Sequence, residues 1–210
     1  MLKGLVITAM DKKTLSGRLL IAVCALLICV GKPLLAQDSK LDVEPITATR
    51  FTTGELSKLV PAPRPEDVAS PRALVLALHA SVTGEVASFD WRRFRSLFLP
   101  GARVGESGEE TAGKPEVRFE SVESWIRSAR SMTATGSNRE VIFKMHIEQF
   151  GNVANVFYSH SAVFTDKGNV DDVRRVNSCQ MLFDGRRWWI TSVIWNDSAK
   201  KWDIPADMKQ

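Results

Sequence analysis

Four long β-rich runs follow one another from Val141 to Trp195, and they constrain the fold more than any other feature of this 210-residue chain. Within Val141–Phe150, Val153–Thr165, Val173–Phe183 and Trp188–Trp195 apolar and polar residues alternate, which is the period of a strand with one buried face. The joints are Gly151-Asn152, Asp166-Lys167-Gly168-Asn169 and Asp184-Gly185, built from residues that accept turn geometry. Runs joined this tightly pair antiparallel.

Upstream the period is helical. Ser70-Pro71 reads as an N-cap followed by proline at the first helical position, and Leu74, Leu78 and Val82 recur every four residues, predicting a helix over Pro71–Ser88. Asp90 caps a second helix with Trp91, Phe94, Leu97 and Phe98 on one side, ended by Pro100-Gly101. Ala102–Gly105 reads as a short strand and Glu106–Pro115 as a flexible loop. Ser121–Met132 returns to helical spacing with Val122, Trp125, Ile126 and Ala129 on one side. Three helices and then an antiparallel meander predict an α+β domain over residues 71–210, its helices packed on one face of a curved sheet.

The segment before this domain has a different character. Lys12, Lys13 and Arg18 precede the apolar run Leu19–Val30, and Gly31 and Pro33 lead into Leu34-Leu35-Ala36-Gln37. A basic stretch, an apolar stretch shorter than a spanning helix and a small-residue cleavage site predict a signal peptide over residues 1–36. The chain is accordingly expected to be exported, periplasmic or secreted, and to meet the membrane only through the cleaved signal. Val23 before Cys24 and Ile28 before Cys29 do not suit a lipoprotein signal, and Cys179 alone remains after cleavage, so no internal disulfide is expected. Residues 37–70, with Pro45, Pro61, Pro63 and Pro65, read as a flexible linker in which Phe51, Leu56, Leu59 and Val60 could form a short docked helix.

The formal charge is +4, with Lys3, Lys12, Lys13, Arg18 and Lys32 all in the leading segment. The remaining basic pairs, among them Arg92-Arg93 and Arg174-Arg175, are spread among acids, which excludes the basic stripe of a nucleic-acid binder. No phosphate loop, dinucleotide fingerprint, Gly-x-Ser-x-Gly elbow or paired Cys-x-x-Cys is present, so no cofactor is expected.

Four segments carry a resemblance beyond topology: Leu97–Arg103, Gln149–Phe157, Arg174–Leu182 and Asp184–Ile190, followed by a tail from Trp195-Asn196 to Ile204-Pro205. In this order they resemble an exported bacterial branch of the nuclear-transport-factor-2-like (SnoaL-like) superfamily, over about residues 71–205. The resemblance implies a cone in which three N-terminal helices close a curved, mostly antiparallel sheet around a pocket; the chain is itself expected to form a homodimer through the sheet. It implies no single activity, because that fold hosts isomerases, cyclases, dehydratases and binding modules. Arg175 and His160-Ser161 depart from the residues that the branch suggests at those places.

Pocket candidates follow from strand alternation and from the helix expected to cover the cone. Tyr158 and His160 share one face, His146 and Glu148 share a face of the neighbouring strand, Asn177 and Cys179 share a third, and Trp125 is the aromatic candidate for the wall. A histidine beside a carboxylate is the usual minimum for acid–base work, and His146 with Glu148 or His160 with Asp197 could supply it; each histidine, His79 included, also fits a polar outward face. His146 and His160 could face one another, but no third ligand is spaced with them, so no metal is expected. Cys179 reads as a packing cysteine, and it takes roughly the place that the resemblance gives to a proton-donating acid, which speaks against steroid-type isomerisation. Trp188, Trp189 and Trp195 read as core or interface.

The functions left open are a binding domain for a small apolar molecule, a cofactor-free cyclase, isomerase or dehydratase using a pocket histidine as base, and a structural module with a self-filled pocket. Export is checked by mass spectrometry of the chain expressed in a bacterium: cleavage after Ala36 leaves a mature chain starting at Gln37, and an uncut chain overturns the signal.

Overall fold

A computed structural model of the chain describes residues 51–109, 115–132, 135–198 and 203–209. The expected signal peptide and the first part of the expected linker lie outside the described residues. The rest of that linker holds helix α1 (Thr53–Leu59) and a 3₁₀ turn at Pro65–Val68. Thr52 starts α1 by a capping box, its hydroxyl accepting from Glu55 N while Glu55 accepts from Thr52 N. Leu56 and Val68 are buried, and Thr53 Oγ1 donates to Asp184 O.

Helices α2 (Pro71–Ala80), α3 (Trp91–Ser96) and α4 (Val122–Met132) are joined by seven strands. These are β1 (Gly84–Glu85), β2 (Phe98–Glu109), β3 (Pro115–Ser121), β4 (Ser137–Phe150), β5 (Val153–Asp166), β6 (Asn169–Phe183) and β7 (Trp188–Asp197). They make one sheet in the order β1-β4-β5-β6-β7-β2-β3, antiparallel except where β2 runs parallel to β7. The chain therefore has the expected α+β architecture, helices packed on a mostly antiparallel sheet.

Three local expectations are corrected. The helix expected to reach Ser88 ends at Ala80, because Ser81 and Thr83 turn their hydroxyls back onto Leu78 O and His79 O and Gly84 takes a φ of 115° to pair with Asn138. The second helix stops at Ser96, so Leu97 and Phe98 leave it, and Phe98 begins a strand. That strand, expected only over Ala102–Gly105, extends to Glu109 and pairs with a β3 that the alternation did not reveal; part of the expected loop is thus ladder. Gly105 is required there, since a Cβ would lie 2.6 Å from the Phe119 ring across the pair.

The core lies between the helices and one face of the sheet. Leu74, Val75 and Leu78 of α2, Phe94 of α3 and Ile126 of α4 meet Val104, Val156, Tyr158, Cys179, Met181, Ile190 and Val193 from the strands. Each fully buried aliphatic side chain contributes roughly 1.5–3 kcal/mol. One extra residue in β4, at Phe143, shifts the register against β5: Ile142 faces His160 and Lys144 faces Ser159. This bulge reverses which face the even-numbered β4 residues occupy.

The β6–β7 turn is fastened by Asp184. Its carboxylate accepts from Arg186 N and Arg187 N at 2.9 Å and from Trp189 Nε1 at 2.7 Å. Arg187 lies 3.7 Å above the Trp189 ring and donates to Ser96 O, the last residue of α3. Burial lowers its guanidinium to about 10, with Asp184 opposing. Burial pushes the Asp184 carboxyl up, but the donors from Trp189, Arg187 and Arg186 outweigh it and hold the group below its ordinary value. A carboxyl depressed in the folded state stabilises above its unfolded value of about 3.9, and that contribution is lost as pH falls through the folded one. Asp184→Ala is expected to cost about 1–3 kcal/mol at pH 7 and less at pH 3, read as urea midpoints; an equal loss at both pH values overturns this role.

Candidate functional site

α2, β4 and β5 bring three titratable side chains together under the core. His79 follows Val75 by four residues, so the buried face of α2 carries it onto the sheet. Glu140 shares the inner face of β4 with Asn138 and Ile142, and His160 shares that of β5 with Tyr158. Thr83 ties helix to strand, donating to His79 O and accepting from Glu140 N.

The contacts converge on one oxygen. His79 Nδ1 lies 3.1 Å and His160 Nε2 3.2 Å from Glu140 Oε2. The other oxygen, Oε1, accepts from Asn138 Nδ2 at 2.8 Å. His79 Nε2 meets Tyr158 Oη at 3.0 Å, and Asn177 Nδ2 donates to the same phenol at 3.0 Å. A carboxylate only accepts, so His79 carries a proton on Nδ1. Burial pushes the Glu140 carboxyl up, but the hydrogen bond and charge of His79, the charge of His160 and the Asn138 amide outweigh it, and the group stays below its ordinary value. Burial, then the neighbouring His79, lowers His160 to about 3, with Glu140 opposing and Arg175 adding to the fall. Burial raises the Tyr158 phenol well above its ordinary value.

This cluster forms the polar end of a cavity with about 80 Å³ open to the centres of water-sized molecules. Leu78, Val82, Phe94, Phe98, Val104, Trp125, Val193 and Trp195 make the apolar wall, while His79, Glu140, His160, Arg175 and Asn177 make the polar side. Phe94 and Trp125 stack 5.0 Å apart at 11°, and Trp195 meets Trp125 edge-on at 6.5 Å. Three lining residues bury a polar atom that has no partner among the described residues: His160 Nδ1, Asn177 Oδ1 and Trp195 Nε1. Among the described residues, His79, Glu140 and His160 are a group whose donor atoms, all within 4.8 Å of one another, could hold a metal.

Of the candidates named from sequence, Trp125, His160 and Asn177 line this cavity, and Tyr158 is bonded to its polar side. Cys179 is fully buried between Val156 and Val193, where burial raises its thiol and leaves it a packing group. His146 is a correction. The Phe143 bulge turns it, with Glu148, to the outer face, where it lies half-exposed 3.6 Å from Asp207. The His160–Asp197 pairing is also corrected: His160 meets Glu140, and Asp197 binds Arg175 at 2.6 Å. Sequence reasoning left His79 on an outward-face reading and missed Glu140, just before the expected start of the strand. The available signal was Asn138–Glu140–Ile142, an inner-face alternation that begins earlier.

Replacing Tyr158 by Phe keeps the ring but strips a partner from His79 Nε2 and Asn177 Nδ2. Tyr158→Phe is expected to cost about 1–3 kcal/mol in urea unfolding; a loss below about 0.5 kcal/mol means the phenol is not bridging them.

No protein-family profile matches this chain, and no curated protein matches it by sequence. Solved structures are similar to it. A protein of unknown function with a cystatin-like fold from Nostoc punctiforme is 12% identical, the match covering 72% of this chain and 97% of that one, with a TM-score of 0.46. A proposed dehydratase of the NTF2-like family from Streptomyces avermitilis is 14% identical over 63% of this chain and 96% of that one, with a TM-score of 0.46. A protein of unknown function from Mycobacterium tuberculosis is 9% identical over 64% and 75%, with a TM-score of 0.49.

Proposed function

We propose that this domain binds a small, largely apolar molecule in the cavity between its helices and sheet, and that the chain does so after export. One observation carries the reading: an apolar cavity ends in a buried polar side, and three of its lining residues leave a polar atom unpartnered. Buried polar atoms are normally paired, so such a group asks for a partner. His160 Nδ1, free of the contact made by Nε2, and Asn177 Oδ1 accept hydrogen bonds, while Trp195 Nε1 donates. The matching occupant is a small ring or short chain with hydroxyl or carbonyl groups at one end. At about 10–15 Å³ per water, 80 Å³ is room for several waters or one such ring. That room counts against a pocket filled by its own side chains.

A second reading rests on the relay Tyr158–His79–Glu140, with His160 on the same carboxylate. A carboxylate that fixes imidazole orientation is the arrangement of general acid–base catalysis without a cofactor. If it operates, His160→Ala abolishes turnover of the bound compound while the fold survives.

We also propose that two copies pair through the outer sheet face. Val117, Phe119 and Ile194 are exposed there beside Phe157 and Val176, around a groove of about 490 Å³, and an apolar patch of this kind commonly marks an interface.

Native mass spectrometry of purified residues 37–210 tests both readings, through co-purified compounds and through the dimer. Fluorescence of Trp125 and Trp195 then follows titration with small hydroxylated aromatic probes. Val193→Phe, which fills the cavity, is expected to weaken uptake at least tenfold at an overpacking cost of about 1–3 kcal/mol. A ligand-free protein that ignores every probe overturns the pocket reading, and a monomer overturns the pairing.

A further inference from the structure

We propose that His79, Glu140 and His160 form a binding site for one first-row divalent transition metal, with Zn(II) as the reference ion, in which three side chains coordinate and the remaining position opens towards the cavity. The inference goes beyond the ligand-binding reading and does not depend on it.

The geometry fits before any ion is placed. Protein ligands sit about 2.0–2.2 Å from zinc, so two of them in tetrahedral or octahedral array lie roughly 3.0–3.5 Å apart. His79 Nδ1 and His160 Nε2 are 3.1 Å and 3.2 Å from Glu140 Oε2. All three atoms fall within 4.8 Å of one another, so closing on one ion takes side-chain movements of about 1 Å. They come from a helix and two adjacent strands, so neither the fold nor the ladder has to change.

Two of the three ligands, His79 and Glu140, have the surroundings of a metal ligand set, while His160 Nδ1 has no partner among the described residues. A coordinating histidine normally offers its second nitrogen to a hydrogen-bond partner that fixes the ring, and a coordinating carboxylate is itself hydrogen-bonded. Tyr158 Oη holds His79 Nε2 and is itself held by Asn177, and Asn138 holds Glu140 Oε1. The side chains of His79, Glu140 and His160 are 10%, 7% and 3% exposed, which separates them from the solvated acidic clusters common on surfaces. The carboxylate supplies one negative charge to offset a dication, and the nearby Arg175 guanidinium is engaged by Asp197. Two imidazoles with one carboxylate favour Zn(II), Co(II), Fe(II) or Ni(II) over Mg(II) and Ca(II), which require oxygen ligands. His79, Glu140 and His160 all line the cavity, so the position left open by three ligands faces the space where a small molecule or water would sit.

The test uses the whole chain, freed of metal with a chelator and dialysed. Calorimetric titration with Zn(II) is expected to show one ion per chain, with Mg(II) and Ca(II) not binding. Co(II) is expected to give the visible absorption of a nitrogen- and oxygen-ligated ion, displaced by Zn(II). Glu140→Gln and His160→Gln should each weaken Zn(II) at least 100-fold, whereas His146→Ala on the outer face should leave it unchanged. If either site variant does not fold, the Co(II) spectrum and stoichiometry of the unaltered chain decide alone. Failure to bind Zn(II) and Co(II) overturns the proposal, as does binding retained in both folded site variants or lost in His146→Ala. Probe uptake measured on the chelated chain keeps the failure of this site distinct from failure of the apolar pocket.

Discussion

The ionised carboxylate of Glu140, beneath the helices and 7% exposed, is the group around which the rest of the interior is arranged. An uncompensated charge in such a place costs several kcal/mol, so partners must reach it with good geometry. They come from three directions: His79 from α2, His160 from β5 and Asn138 from the same strand. The demand passes outward, because His79 leans on Tyr158 and Tyr158 on Asn177 of β6. One buried charge thereby adds a directional constraint on how α2 lies on the sheet, beside the apolar packing of Leu74, Val75 and Leu78.

The bulge at Phe143 decides which side of the sheet receives that charge. Without the extra residue, Glu140 and His146 would share a face by simple alternation; with it, Glu140 points into the core side and His146 to the outer side. The two histidines consequently belong to different physics. His146 beside Asp207 is a half-exposed pair of the kind that contributes about 0–1 kcal/mol. His79 and His160 are buried, where every missing partner carries the full cost of desolvation.

This is also where the sequence was and was not legible. The four long runs and their turns locate β4 to β7, because period-two alternation with Gly-rich joints survives tertiary packing unchanged. That Tyr158 shares a face with His160, and Asn177 with Cys179, follows from that alternation within β5 and β6, whose mutual register is unbroken, but alternation alone does not say which face is the inner one. Trp125 is legible for the same reason on a helix, through its spacing with Val122, Ile126 and Ala129. What the alternation cannot show is a bulge, since inserting one residue leaves no mark in the composition, and so the phase of His146 was unreadable. Glu140 escaped because a lone acid at the head of an apolar run looks like a solvated strand end. The part of β2 beyond Gly105 and all of β3 escaped because Glu106, Gly108 and Glu116 resemble a loop, and only the neighbouring β7 gives that stretch a ladder to join.

The aromatic wall and the polar end constrain an occupant jointly. Phe94, Trp125 and Trp195 surround the cavity with surface that gains from apolar contact, at roughly 25 cal/mol per Å². That gain alone discriminates poorly between molecules of similar size, since one methylene more or less changes the balance by only about 1–3 kcal/mol. The polar end discriminates more strongly. His160 Nδ1, Asn177 Oδ1 and Trp195 Nε1 are already shielded from water, so an occupant that reaches them with hydroxyl or carbonyl groups gains bonds that a purely apolar one does not. Selection therefore acts mainly at the buried polar side, where the desolvation that makes Glu140 demand partners also favours a guest that brings polar groups.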